Sequence, residues 1–156
     1  MADTNRTRRQ RSAQPRQQGQ VDLEWLGRDL RGTWGERRLA AREKVADPRF
    51  QRIDDLTMAA HRQRTLEQLQ LLADDGAVLA AFPTRLGGAD DHGGNIAGFE
   101  ELVLADPSLQ IKSGVQWGLF TSAIYQLGTK KHWDQWLPDA ISMKLPGAFA
   151  MTETGH

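Results

Sequence analysis

Three stretches of this 156-residue chain hold residue types that could do chemistry. The first is Asp90-Asp91-His92. Carboxylates and imidazole bind divalent metals, but three adjacent loop residues rarely converge on one ion. The second is a pair of glycine pairs, Gly87-Gly88 and Gly93-Gly94, which could cradle a phosphate. A P-loop would need Gly-Lys followed by Ser or Thr, with a buried strand leading in. Neither is present, so a connecting loop is the favoured reading. The third is Gly147-Ala148-Phe149-Ala150-Met151-Thr152-Glu153-Thr154-Gly155-His156, the only candidate strand. At period two, Ala148, Ala150 and Thr152 share one face. Two methyls and a hydroxyl make a low surface where a planar ring could rest and be hydrogen-bonded. On these residues alone an ordinary strand packed on a neighbour is the favoured reading. His156 is titratable, but a general base needs a fixed geometry that a chain end does not supply.

Composition removes several classes of function. There is no cysteine, hence no disulfide framework, thiolate nucleophile or thiolate metal site. Twenty basic and twenty acidic residues leave a formal net charge of zero. That speaks against a general nucleic-acid or anionic-membrane binder, which needs a basic face. No apolar run approaches the ~20 residues that span a bilayer. Arg8-Arg9 is not followed by an apolar segment, so a twin-arginine signal is rejected. The expectation is a soluble, cytoplasmic protein.

The elements that must position these residues are almost all helical. Residues 1–20 are polar and arginine-rich and read as a disordered basic tail. Leu23, Leu26 and Leu30 suit a short helix stopped by Gly32, and a charged helix follows from Trp34 to Val45. Met58, Thr65, Leu66, Leu69, Leu72 and Ala73 form one apolar stripe. Thr57 or Asp55 could cap that helix, and Gly76 suits its end. Asn95 could cap a helix from Ile96 to Ala105. Pro107 suits the first turn of a long apolar helix to Leu127, in which Ser113, Gly114, Gly118 and Ser122 recur. Small residues there admit a neighbouring helix or a ligand, and close helix packing is favoured. Lys130 to Leu137 makes a last helix carrying Trp133 and Trp136 as core aromatics, with Pro138 ending or kinking it. The final strand has no partner strand upstream, so its sheet is expected to lie outside the chain, which reads as a fragment.

The order of the motifs adds a resemblance. Phe82-Pro83-Thr84-Arg85-Leu86-Gly87-Gly88, then Leu127-Gly128-Thr129-Lys130-Lys131-His132-Trp133, then the closing Met151-Thr152-Glu153-Thr154-Gly155-His156 appear in sequence. About residues 56–156 thus resemble the N-terminal part of the acyl-CoA dehydrogenase and acyl-CoA oxidase superfamily. Thr154, His156 and Lys130-Lys131-His132 lean towards the oxidases. The resemblance implies a mainly α chain: a helical N-terminal domain over residues 21–146, then residues 147–156 as the first strand of a truncated β-domain. It implies FAD in the full-length protein, with Phe149, Met151 and above all Thr152 as cofactor-binding residues. It gives Glu153 a structural role in the turn, and it places no catalytic residue in this chain, because the family's proton-abstracting carboxylate lies in a C-terminal domain. The implied reaction is α,β-desaturation of a fatty acyl-CoA to trans-2-enoyl-CoA, with oxygen reduced to hydrogen peroxide. A homo-oligomer is implied for the full-length protein, and the chain alone is expected to be inactive. The alternatives are a dehydrogenase using an electron-transfer partner, and a non-catalytic helical module that binds protein or lipid.

Overall fold

The computed structural model describes residues 21–155. The basic tail over residues 1–20 and His156 lie outside them. The chain divides into two units, Met1–Gly32 and Thr33–His156.

In the first unit α1 spans Leu23–Arg31. Asp22 caps it, its carboxylate accepting from the Trp25 N–H at 2.9 Å. Glu24 and Arg28 pair one turn apart, and Gly32 ends the helix at φ 66°.

The second unit is six further α-helices joined by tight turns. They are α2 (Gly35–Val45), α3 (Met58–Asp74), α4 (His92–Glu101), α5 (Pro107–Ser113), α6 (Ser122–Leu127) and α7 (Lys130–Ile141). Short 3-10 turns at Ala77–Leu79, Thr84–Leu86 and Leu102–Leu104 connect them. Val45, Phe50, Leu69, Leu72, Leu102, Ala105, Leu109, Trp117 and Met143 form the core. Each contributes roughly 1.5–3 kcal/mol of burial before entropy is counted, less for the alanine.

The stripe on α3 is narrower than the sequence predicts. Its buried residues are Thr65, Gln68, Leu69 and Leu72. Leu66 lies about 100° round the helix from Thr65 and is exposed. Met58 is the first residue of the helix and is 69% exposed. Gln68 is buried in their place because its amide donates to the carbonyls of Arg49 (3.0 Å) and Phe50 (2.8 Å). Thr57 is the cap, accepting from the Ala60 N–H, whereas Asp55 sits at φ 65°.

Helix α4 starts four residues earlier than expected. Asp91, not Asn95, caps it, accepting from the Gly94 N–H at 2.8 Å. The glycines at 93 and 94 are helical rather than loop residues. Asp91 is also held by Arg37 of α2 at 3.1 Å.

Pro107 starts α5 as expected, and Asp106 caps it. The Asp106 carboxylate accepts from the Ser108 N–H at 2.8 Å and meets His61 Nε2 at 3.0 Å. The long helix then continues to Leu127, but through π-helical winding over Gly114–Thr121. Thr121 Oγ1 donates to the Gln116 carbonyl and Ser122 Oγ to the Trp117 carbonyl, each five residues back. Such winding is rare and recurs at functional sites.

Helix α7 runs through Pro138 to Ile141 instead of ending there. Proline removes only one N–H bond. The later carbonyls are held from outside the helix: Ala140 accepts from the Gln116 amide at 2.8 Å and Ile141 from the Trp117 indole N–H at 3.0 Å. Trp133 is half-buried and donates to Ile124 and Tyr125 carbonyls. Trp136 is not core: it is 40% exposed and stacks on His132.

No strand forms among the described residues, so the expected strand from residue 147 is corrected to an exposed run outside any helix. The reason is that a strand without a partner has no ladder to complete.

Candidate functional site

The residues from Ala80 to Asp91 fold back on themselves. The N–H groups of Gly87, Gly88, Asp90 and Asp91 bond the carbonyls of Thr84, Pro83, Phe82 and Ala80. A Cβ on Gly88 would lie 1.9 Å from the Phe82 carbonyl oxygen, so no other residue fits. These donors are turned inward, which leaves no phosphate cradle there. Asp91 is engaged by Gly94 and Arg37, while Asp90 and His92 stand 3.7 Å apart and exposed. No group of three or more His, Asp or Glu side chains able to hold a metal is found among the described residues.

What the turn does is bring Phe82 against the long helix. Phe82 packs edge-on to Tyr125 at 6.0 Å and walls a cavity of about 450 Å³. The cavity lies among α2, α4, the turn after α3 and the π-helical segment. Its deep wall is Leu72, Phe82, Phe99, Leu102 and Trp117. Its polar lining, Arg37, Lys44, His92, Asn95 and Gln126, is exposed or half-buried. Lys44 pairs with Asp75, and burial lowers its pKa from the ordinary lysine value. An apolar interior with a polar surround suits an amphiphile, and the volume lies in the range of small-molecule sites.

The four small residues of the long helix all line this cavity: Ser113, Gly114, Gly118 and Ser122. They do different work. A Cβ on Gly114 would meet Phe99 Cζ at 3.2 Å, so this glycine serves close helix packing, as the sequence favours. A Cβ on Gly118 would meet nothing within 4 Å, so this exposed glycine borders open space at the cavity's edge.

A second groove, of about 730 Å³, lies between the Thr84–Leu86 turn and α7. Its cations are already engaged. Arg85 lies over the rings of Tyr125 (5.6 Å) and Trp133 (5.3 Å) and donates to the tyrosine hydroxyl at 3.2 Å. Lys130 pairs with Asp134. It is the less favourable site because its lining reaches one buried core residue, Leu137, where the first cavity reaches Leu72, Phe82, Leu102 and Trp117.

Phe149, Met151 and Thr152 are brought into neither hollow. With Ala148 and Ala150 they form an exposed run, its side chains and backbone belonging to no helix or sheet among the described residues. The run fits a flat cofactor to this extent: it offers unladdered N–H and C=O groups, small alternate side chains and one hydroxyl. Glu153 is exposed beside it.

Sequence reasoning missed the π-helical winding, the α2 wall carrying Arg37 and Lys44, and the buried Gln116. Only Gln116 left a trace, as a polar residue inside an apolar helix.

Comparison with known proteins agrees with this architecture. The family described as acyl-CoA dehydrogenase, N-terminal domain, matches residues 36–144. Acyl-coenzyme A oxidase 2, peroxisomal, from Arabidopsis thaliana is 34% identical over 119 residues, covering 73% of this chain and 17% of that protein. Acyl-coenzyme A oxidase 3, peroxisomal, from the same plant is 33% identical over 100 residues, covering 64% and 14%. An acyl-coenzyme A oxidase-like protein of Mus musculus is 42% identical over 57 residues, covering 36% and 9%. No solved structure matches. The chain spans 17% or less of the length of these three relatives. The chain belongs to the acyl-CoA dehydrogenase and oxidase superfamily, of which it carries the N-terminal helical domain.

Proposed function

We propose that this chain supplies the acyl-chain-receiving domain of an FAD-dependent acyl-CoA oxidase. The observation that carries the reading is the apolar cavity bordered by Gly118, walled by buried Leu72, Leu102 and Trp117 and ringed by polar groups. An alkyl chain fills such a space and leaves a charged head in water. Phe149, Met151 and Thr152 would hold the flavin, through backbone groups and the threonine hydroxyl. When bound, the flavin supplies hydride acceptance and reoxidation by oxygen. The carboxylate that takes the α-proton lies outside these 156 residues in this reading. The chain alone therefore does not turn over acyl-CoA. The oxidase choice rests on Thr154 and His156 and on the names of the plant relatives.

Two further parts belong to the same proposal. The complete protein is a homo-oligomer, which sedimentation tests. Its location is cytoplasmic, and cell fractionation tests that against the peroxisomal location in the plant relatives' names.

The direct test of the cavity is a binding series with hexanoyl-, octanoyl- and decanoyl-CoA. Each buried methylene contributes about 0.8 kcal/mol, so affinity should rise roughly fourfold per carbon. Equal affinities along the series would mean that only the head group is held, and the reading would fail.

A further inference from the structure

Gln116 lies on the π-helical segment and is 3% exposed. Burying an amide is costly unless every polar atom is paired. Here the pairing is complete and points in one direction. Nε2 donates to the carbonyls of Ala140 (2.8 Å) and Leu145 (3.1 Å). Oε1 accepts from the Gly147 N–H at 2.8 Å. Two carbonyls on one side and an N–H on the other allow only this orientation of the amide. No carboxylate or apolar side chain of similar size makes all three bonds.

The partners flank the turn Leu145-Pro146-Gly147. Gly147 is also pressed onto the same helix, since a Cβ there would lie 2.0 Å from Phe120 Cγ. Beyond Gly147 the chain enters the exposed run over residues 148–152. The neighbour of Gln116, Trp117, both walls the cavity and bonds Ile141. One helix thus carries the cavity wall and the anchor of the exposed run side by side.

We propose that Gln116 is a positioning residue. It fixes the point at which residues 148–152 leave the helical body, and so sets the distance between the acyl-chain cavity and the backbone that meets the flavin. The inference rests on the functional reading above for what that backbone meets.

The test is amide hydrogen exchange on the full 156-residue chain, as wild type, Gln116→Glu and Gln116→Met. In the wild type the Gly147 amide should exchange far more slowly than those of Phe149 to Thr152. In Gln116→Met, which offers the Gly147 N–H no oxygen, that protection should fall about tenfold, the worth of one such bond, while Leu69 and Leu72 in α3 keep theirs; Gln116→Glu keeps an acceptor but loses the donor to Ala140 and Leu145. Loss of protection in α3 to the same degree would show a general support and overturn the proposal. So would a Gly147 amide that is unprotected in the wild type, a result that needs no variant to fold. Titration with FAD separates the two readings. Shifts at Phe149, Met151 and Thr152 in the wild type, lost in Gln116→Glu, support the positioning role. Shifts that persist in the variant overturn that role, and the Gly147 exchange decides the anchor without FAD.

Discussion

Gly118→Leu should weaken binding of a dodecanoyl chain about 100-fold while leaving stability unchanged or slightly higher. The Cβ position is open, with no heavy atom within 4 Å, on an exposed residue that lines the cavity, so the new side chain adds bulk at the cavity's mouth without forcing anything aside. It displaces three or four methylenes of the ligand, about 3 kcal/mol of burial. Replacing glycine inside a helix also contributes up to ~1 kcal/mol of propensity. Gly114→Leu is the control. There the new atoms meet the Phe99 ring at 3.2 Å, and overpacking should cost about 1–3 kcal/mol of stability. Two glycines four residues apart on one helix should thus fail in opposite ways. Calorimetric binding and denaturant midpoints read the two effects separately.

Arg42→Ala should destabilise the protein by about 3 kcal/mol, more than Glu101→Gln. The Arg42 guanidinium grips Glu101 through two bonds, at 2.9 and 3.1 Å. That hydrogen bond, and the charge behind it, raise the Arg42 pKa. The pair is lopsided, because the Glu101 side chain is 6% exposed and that of Arg42 is 52% exposed. Removing Arg42 strands a buried carboxylate with only Arg38, at 3.7 Å, to answer it. Removing the carboxylate leaves an arginine that water can solvate, a loss of about 1–2 kcal/mol. Urea denaturation of both variants checks the order. Equal losses would mean that the pair acts as an ordinary surface bridge.

Helices were readable where caps and breakers are local. Gly32, Gly76, Asp106 with Pro107, and Thr129 mark their ends from neighbouring residues alone. Choices made by distant partners were hidden. Asp91 prevails over Asn95 as a cap where Arg37, 54 residues away, also grips it. Helix α7 runs past Pro138 to Ile141, where donors from the π-helical segment hold the carbonyls of Ala140 and Ile141. The π-helical winding has no composition of its own, so the long helix was visible and its widened turn was not. Three motifs pointed to the family; the matched region of 36–144 contains those at residues 82–88 and 127–133, and the closing one lies beyond it. The cavity was half-visible. The small residues stood out, but periodicity cannot tell the glycine that packs from the glycine that opens.

The proposed function requires an acyl chain to enter that cavity. The most direct measurement is a set of nuclear Overhauser contacts from the terminal methyl of bound dodecanoyl-CoA. The methyl should contact the indole of Trp117, the ring of Phe99 and the α-protons of Gly118, all of which line the cavity. Contacts to Trp133, Leu137 and Ile141 instead would put the chain in the outer groove and contradict the account.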